Sequence, residues 1–368
     1  MQKKLIALAI AAAASSAAFA QSNVTIYGNI DMGWMTTSGS NGAVPASGNV
    51  GTPNQARNFI GQAASFSHLG FKGVEDLGNG LKALFDIQYR FNPDTGGGLN
   101  QAGHSYVGLT GGFGTLIGGR LYTPHYTFLT SLDPFAGGSV GKYNNTYGSA
   151  TTLGGLADPV RVDNALAYVS PNFGGFTATL AYANNALAND NLNYSGDNNR
   201  VYAALGQFSS GMFTAGVSYH FIETDGVATV DSVQTVVAGG SVNLGVAKIA
   251  GFASYGTLDS KVTGVGDVDL YNYMLGVTVP IGKVSLKASG NYSDYDNSGV
   301  KDSAYQIAVG ADYALSKRTN LYTAYSFIDN DGRAASVGDA TQSGAGADSM
   351  GVAKVYQQGF QMGVRHMF

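Results

Sequence analysis

The stretch Leu81-Lys82-Ala83-Leu84-Phe85-Asp86-Ile87-Gln88-Tyr89-Arg90-Phe91 sorts its side chains by parity. Leu81, Ala83, Phe85, Ile87, Tyr89 and Phe91 share one face of an extended chain, and Lys82, Asp86, Gln88 and Arg90 share the other. Period two is the signature of a strand with one apolar and one wet face. The same split recurs in Phe213-Ala215-Val217-Tyr219-Phe221 against Thr214-Gly216-Ser218-His220. It recurs again in Tyr271–Val279, in Val284–Ala288 and in Tyr305–Tyr313. A soluble sandwich also alternates, but it seldom needs so many strands.

The connections between these strands fall into two classes. Seven are short and rich in turn formers: Asp76–Gly80, Thr110–Gly114, Ser170–Gly175, Ser209–Met212, Asn243–Gly245, Pro280–Lys283 and Ser316–Thr319. Eight longer ones alternate with them, near residues 37–61, 92–103, 122–160, 184–199, 222–233, 257–269, 294–303 and 329–354. Fifteen connections join sixteen strands and put both termini on the short-turn side. An even count with short turns on one side and long loops on the other is the pattern of a transmembrane antiparallel β-barrel. Sixteen strands also leave room for water inside, where eight would be filled by side chains.

Composition identifies the solvent that the apolar face meets. The 368-residue chain is only 12% charged, holds 53 Gly and 22 Tyr, and has no cysteine. A soluble domain carries about twice that share of charge, whereas a lipid-facing barrel wall must be uncharged. No cysteine means no disulfide framework and no thiolate chemistry. The start Met1-Gln2-Lys3-Lys4, the apolar run Leu5–Ala14 and the end Ala18-Phe19-Ala20 read as a secretory leader. Residues 1–20 are therefore read as a signal peptide and 21–368 as a single barrel domain. Of 20 basic side chains Lys3 and Lys4 leave with the leader, so 18 stand against 24 acidic, a net charge of −6. That balance gives no reason to expect nucleic acid as a partner.

The ends of the chain and one long connection complete the reading. The last strand alternates through Tyr356, Gln358, Phe360, Met362, Val364 and His366 to a terminal aromatic, Phe368, and should pair with Val24–Met35 to leave no open edge in lipid. The connection after Gly114–Leu121 resumes alternation only near Arg161 and carries Phe128, Leu129, Leu132 and Phe135. A connection of that length inside a chain of short strands is a functional loop or an unstructured one. Its apolar content favours docking, and the expectation is that it folds into the barrel and sets the width of a pore.

The segments Val24–Gly28, His68–Gly78, Tyr106–Thr115, Gly119–Pro124 and the terminal Phe368 resemble the general-diffusion porins of Gram-negative bacteria, in the branch typical of beta-proteobacteria. The resemblance implies a homotrimer of sixteen-stranded barrels, each with an inward-folded third loop. It implies residence in the outer membrane among lipids and lipopolysaccharide, and a terminal Phe368 read by the assembly machinery. It also implies a ladder of basic wall residues facing acidic loop residues across the constriction. Arg120 and Arg161 occupy the matching wall positions, and Asp133 stands for the loop acid. His68 replaces the arginine that many relatives carry before Leu-Gly-Phe-Lys-Gly. Lys72, Lys82 and Arg90 fall on the polar face, and the site is read as Arg120, Arg161, His68, Lys72, Lys82 and Asp133.

Other chemistry is thinly represented. Gly137-Gly138-Ser139-Val140-Gly141 has the Gly-x-Ser-x-Gly spacing without the strand–turn–helix context that a nucleophile elbow needs. The five histidines, 68, 104, 125, 220 and 366, show no metal-ligand spacing, and no phosphate-cradling loop is present. No enzyme, cofactor or metal is expected. The expected function is a water-filled channel for small hydrophilic solutes and ions, with a weak preference for anions. A barrel serving as adhesin, receptor or hydrolase scaffold is the alternative.

Overall fold

A computed structural model describes residues 23–39, 57–61, 65–95, 98–99, 102–136, 138–147, 159–184, 199–224, 230–261, 266–297, 300–331 and 355–368. The leader read at 1–20 lies outside them.

The strands are β1 (Asn23–Gly39), β2 (Arg57–Gly61), β3 (His68–Gly78), β4 (Leu81–Arg90), β5 (Ala102–Gly111) and β6 (Gly114–Tyr122). After a helix, α1 (Pro124–Leu132), come β7 (Arg161–Val169), β8 (Phe176–Asn184), β9 (Arg200–Ser210), β10 (Phe213–Glu223) and β11 (Val230–Asn243). The chain ends with β12 (Lys248–Ser260), β13 (Val268–Ile281), β14 (Val284–Asn297), β15 (Val300–Ala314), β16 (Thr319–Asp331) and β17 (Val355–Met367). Sequential strands pair antiparallel around one closed sheet. Both β2 and β3 pair with β1, β2 along Gly33–Thr37 and β3 along Asn23–Asn29, so they are two halves of one wall strand. The wall therefore has sixteen strands.

Closure joins the two ends of the chain. β1 pairs with β17 from Asn29↔Met367 to Gly39↔Gln357. Below that ladder, Gly28 and Phe368 exchange both backbone hydrogen bonds at 3.1 Å. A Cβ on Gly28 would lie 2.4 Å from the Phe368 ring, so the position is glycine because the terminal aromatic fills its space. Asn23, the first described residue, and Phe368 both lie on the short-turn side, as the sequence implies.

Burial confirms the two faces. Val217 and Tyr219 are exposed while Ser218 and His220 on the alternate row are buried, and Ile307 and Val309 alternate in the same way with Gln306 and Ala308. The exposed apolar row can face lipid because all its backbone groups are paired within the sheet.

The seven short turns fall where they are read, but the long side is trimmed. β14 and β15 run to Asn297 and from Val300, so the segment read as a loop at 294–303 is mostly strand. Their 14 and 15 residues exceed the roughly 9–11 that cross a bilayer. Beyond the hydrocarbon both faces meet water, so Asp294, Asp296 and Asp302 can sit on extended backbone with the composition of a loop.

The segment after β6 is not structureless. Thr123 caps α1, its Oγ1 accepting from Tyr126 N at 3.1 Å, and Pro124 opens the first turn. At the other end Asp133 closes the helix, its backbone N–H donating to Leu129 O at 3.1 Å. A short 3-10 turn follows at Tyr143–Asn145.

Candidate functional site

The site is built by the way α1 and its continuation lie on the wall. Phe128, Leu129 and Leu132 are buried with Leu205, Val237, Ala250, Phe252 and Met274, and Phe135 and Val140 are buried with Ala304, Ala308, Ala324 and Ile328. Each large side chain so covered contributes about 1.5–3 kcal/mol. All these wall residues belong to the row opposite the exposed apolar one. The row also supplies glycines where the loop comes closest. A Cβ on Gly216 would meet Phe128 at 2.9 Å, on Gly239 Leu132 at 2.7 Å, on Gly276 Pro134 at 2.4 Å, and on Gly310 Phe135 at 2.9 Å. Four strands thus form a track without side chains beneath the segment.

Polar groups pin it in place. Lys248 on β12 donates to Ser131 O at 3.1 Å, and Gln306 on β15 donates to Gly141 O at 2.9 Å. Gln361 on β17 accepts from Val140 N at 3.0 Å. The segment therefore spans the wall from β9 to β17.

Beside the N-terminal end of α1, on wall strands outside that track, lies a basic patch. Arg90 donates from Nη2 to Tyr122 Oη at 2.9 Å and stacks 3.7 Å from the Phe66 ring centre. Arg161 is paired with Tyr122 in the β6–β7 ladder, its guanidinium 6.0 Å from that ring centre. Arg90 and Arg120 both lie within electrostatic reach of Arg161. Tyr122 stacks on Tyr126 of α1 at 5.6 Å and meets His104 edge-on at 5.8 Å. Asp86 brings the negative charge of this patch, accepting from Tyr27 Oη at 2.6 Å with His104 Nε2 at 3.2 Å. Lys72 lies opposite Asp86 in register and 5.1 Å over the Tyr27 ring.

The residues singled out from the sequence separate into groups. Arg161 and Lys72 belong to the patch, and His68 adjoins it, facing Arg90 in register while its Nδ1 reaches Phe66 O at 3.1 Å. Lys82 does not join them. It sits beside the short turn, eight positions along β4 from Arg90, about 26 Å at ordinary strand rise.

Arg120 differs from its reading in detail. It faces Ser105, in step with the exposed Val107 and Leu109, and the β6–β7 register slips beside it between Gly119 and Leu121. There it forms an ion pair with Asp163, next to Asn164 at φ 51°. A bulge of this kind re-aims side chains and ends regular pairing. Asp133 is 6% exposed. Its Oδ1 accepts from Phe135 N at 2.9 Å and its Oδ2 from Tyr143 N at 3.1 Å. Both bonds fold the loop on itself.

Two features escaped the sequence. Arg90 shows there only as one polar-face residue among several, and its partnership with Tyr122 crosses 32 positions. His125 of α1 and His220 of β10 carry no local motif, yet both are fully buried with ring centres 4.5 Å apart. Burial first, and the neighbouring His220 second, hold the His125 imidazole well below its ordinary pKa. Ser139 of the Gly-x-Ser-x-Gly segment is buried, with its Oγ accepting from Gly141 N at 3.1 Å.

Comparison with known proteins agrees with this architecture. A family model described as Gram-negative porin matches residues 7–333. Outer membrane porin protein 32 of Delftia acidovorans is 33% identical over 377 residues, with all of both chains covered. An outer membrane porin protein of Bordetella pertussis is 28% identical, covering 90% of this chain and 95% of its own. Among solved structures, the anion-selective porin from Comamonas acidovorans superposes with a TM-score of 0.73 at 30% identity, covering 95% of this chain and all of its own. OmpT of Vibrio cholerae shares the fold at 15% identity, with a TM-score of 0.67 and coverage of 94% and 98%.

Proposed function

The chain belongs to the Gram-negative porin family, and from that premise we propose that it is a trimeric channel whose docked loop narrows the pore opposite Arg90 and Arg161. It is an outer-membrane β-barrel porin, and its water-filled interior passes small hydrophilic solutes and ions. The finer reading is a preference for anions. One observation carries it: Arg90 and Arg161 converge on Tyr122, and neither is paired with a carboxylate among the described residues. Arg90 Nε and Arg161 Nη1 have no hydrogen-bond partner there.

Asp86 offsets part of this charge, while Lys72 and, on protonation, His68 add to it. Acidic groups at the outer strand ends, such as Asp269 and Asp296, lie farther away, and salt at 0.15 M screens beyond about 8 Å. The local field should therefore decide selectivity despite the acidic whole. The related Comamonas protein is named anion-selective, which supports the same sign here. Phe368 is proposed to be what the assembly machinery reads.

The test is the zero-current potential of the channel in planar bilayers under a salt gradient. Wild type should favour anions, and Arg90→Gln with Arg161→Gln should move the potential toward cations by a severalfold change in permeability ratio. A cation-selective wild type, or a double variant with unmoved potential, would reject the assignment.

A further inference from the structure

We propose that the buried His125–His220 contact is an acid-labile latch between α1 and the wall, so that acidification frees the helix into the channel and lowers conductance. The effect on current rests on the channel reading above; the latch itself rests on contacts alone. His125 lies in the first turn of α1, whereas His220 is on the inner row of β10. Both are 0% exposed and their rings meet edge to face, at 4.5 Å and 85°. His125 Nε2 is 3.0 Å from Tyr147 Oη, which ties the same contact to the far end of the loop. An imidazolium at either buried position would give up its hydration, and a second one would face the first at ring-contact distance.

Among the described residues, the charged groups on the neighbouring elements have partners of their own. Lys248 reaches α1 at its other end, on Ser131 O. Asp133 bonds the Phe135 and Tyr143 amides. Arg200 and Glu223, three register positions beyond the His220–Ala203 pair, bond each other at 3.1 Å. Lys261 lies 3.7 Å from Asp231, and Asp259 accepts from Ser232. The apolar contacts of Phe128 and Leu132 do not titrate.

The direction follows from linkage. In the docked form His125 is held neutral, with its pKa depressed, whereas a released, hydrated imidazole takes a proton near 6.5. Docking strength is therefore complete above about pH 6.5 and falls below it. The docked-to-released ratio drops by up to about tenfold per pH unit as His125 takes up its proton.

The chain has no cysteine, so a nitroxide on Thr127→Cys, an exposed position of α1, reports the helix uniquely. Its spectrum in proteoliposomes should gain a mobile component, reversibly, between pH 8 and pH 5. Single-channel conductance should fall severalfold and flicker over the same range. His125→Phe with His220→Phe keeps both rings and removes the titration, and should abolish both responses. His220→Gln, a smaller change in case the double variant fails to fold, should make both responses shallower. An immobile label at pH 5, or a double variant that responds like wild type, would overturn the latch. A pH-dependent current with an unchanged spectrum would also do so, assigning the effect to a group outside the latch. A channel that fails to conduct even at pH 8 would instead sink the channel reading.

Discussion

Arg90 illustrates what a single residue discloses in sequence and what it withholds. Alternation assigns it to the wet face, as it does Lys72 and Lys82, because parity is a local property of an extended chain. Parity says nothing of height along the barrel, so Lys82 beside its turn and Arg90 at the far end read alike. Nor does it reveal a register slip, which is why Arg120 reads as a wall cation but stands in a bulge with Asp163. Gly28 and Phe368 show the converse, a pair linked only through the fold. Replacing Gly28 with Leu sets a side chain where the Phe368 ring lies. Overpacking of this kind costs about 1–3 kcal/mol, and the midpoint of heat unfolding followed by gel mobility should fall. Because that variant keeps its terminal Phe, its outer-membrane level should exceed that of a Phe368-deleted chain. Equal levels would tie the terminal residue to closure alone and remove its role as an assembly signal.

At the scale of elements, the strands were the most legible part, since membrane crossing forces a strict alternation that turns interrupt. The outer strand ends were not, because water on both faces relaxes the pattern. The helix carried its own signal in Thr123-Pro124, a cap followed by proline in the first turn. Asp133 reads from the sequence only as the loop acid, and its bonds to the Phe135 and Tyr143 amides are ones that no motif encodes. Asp133→Ala should leave the Phe135 and Tyr143 amides buried without an acceptor, each costing about 1–3 kcal/mol. The loop should loosen while the wall persists. Circular dichroism should report unchanged strand content, and single-channel records should show added current noise. Quiet records from a correctly folded variant would show that other contacts suffice to hold the segment.

For the whole molecule, strand number and orientation followed from counting connections, while the companionship of barrels did not. A trimer is the family's arrangement, and a trimeric form of the Vibrio cholerae OmpT structure is known. Native mass spectrometry of this protein in detergent should find three chains, and a stable, conducting monomer would refute the proposal. The β1–β17 ladder has a further consequence in time. The seam that completes the wall uses the first strand and the last, so no partial chain can close, however many hairpins it has made. Until the last strand arrives, a growing sheet keeps two unpaired edges that invite aggregation. The final pairing must also gather nearly the full length of the chain, which makes it a slow event by loop-closure entropy. The last dozen residues therefore decide when this wall can seal, and a chain cut short of them keeps both edges open however many hairpins it has formed.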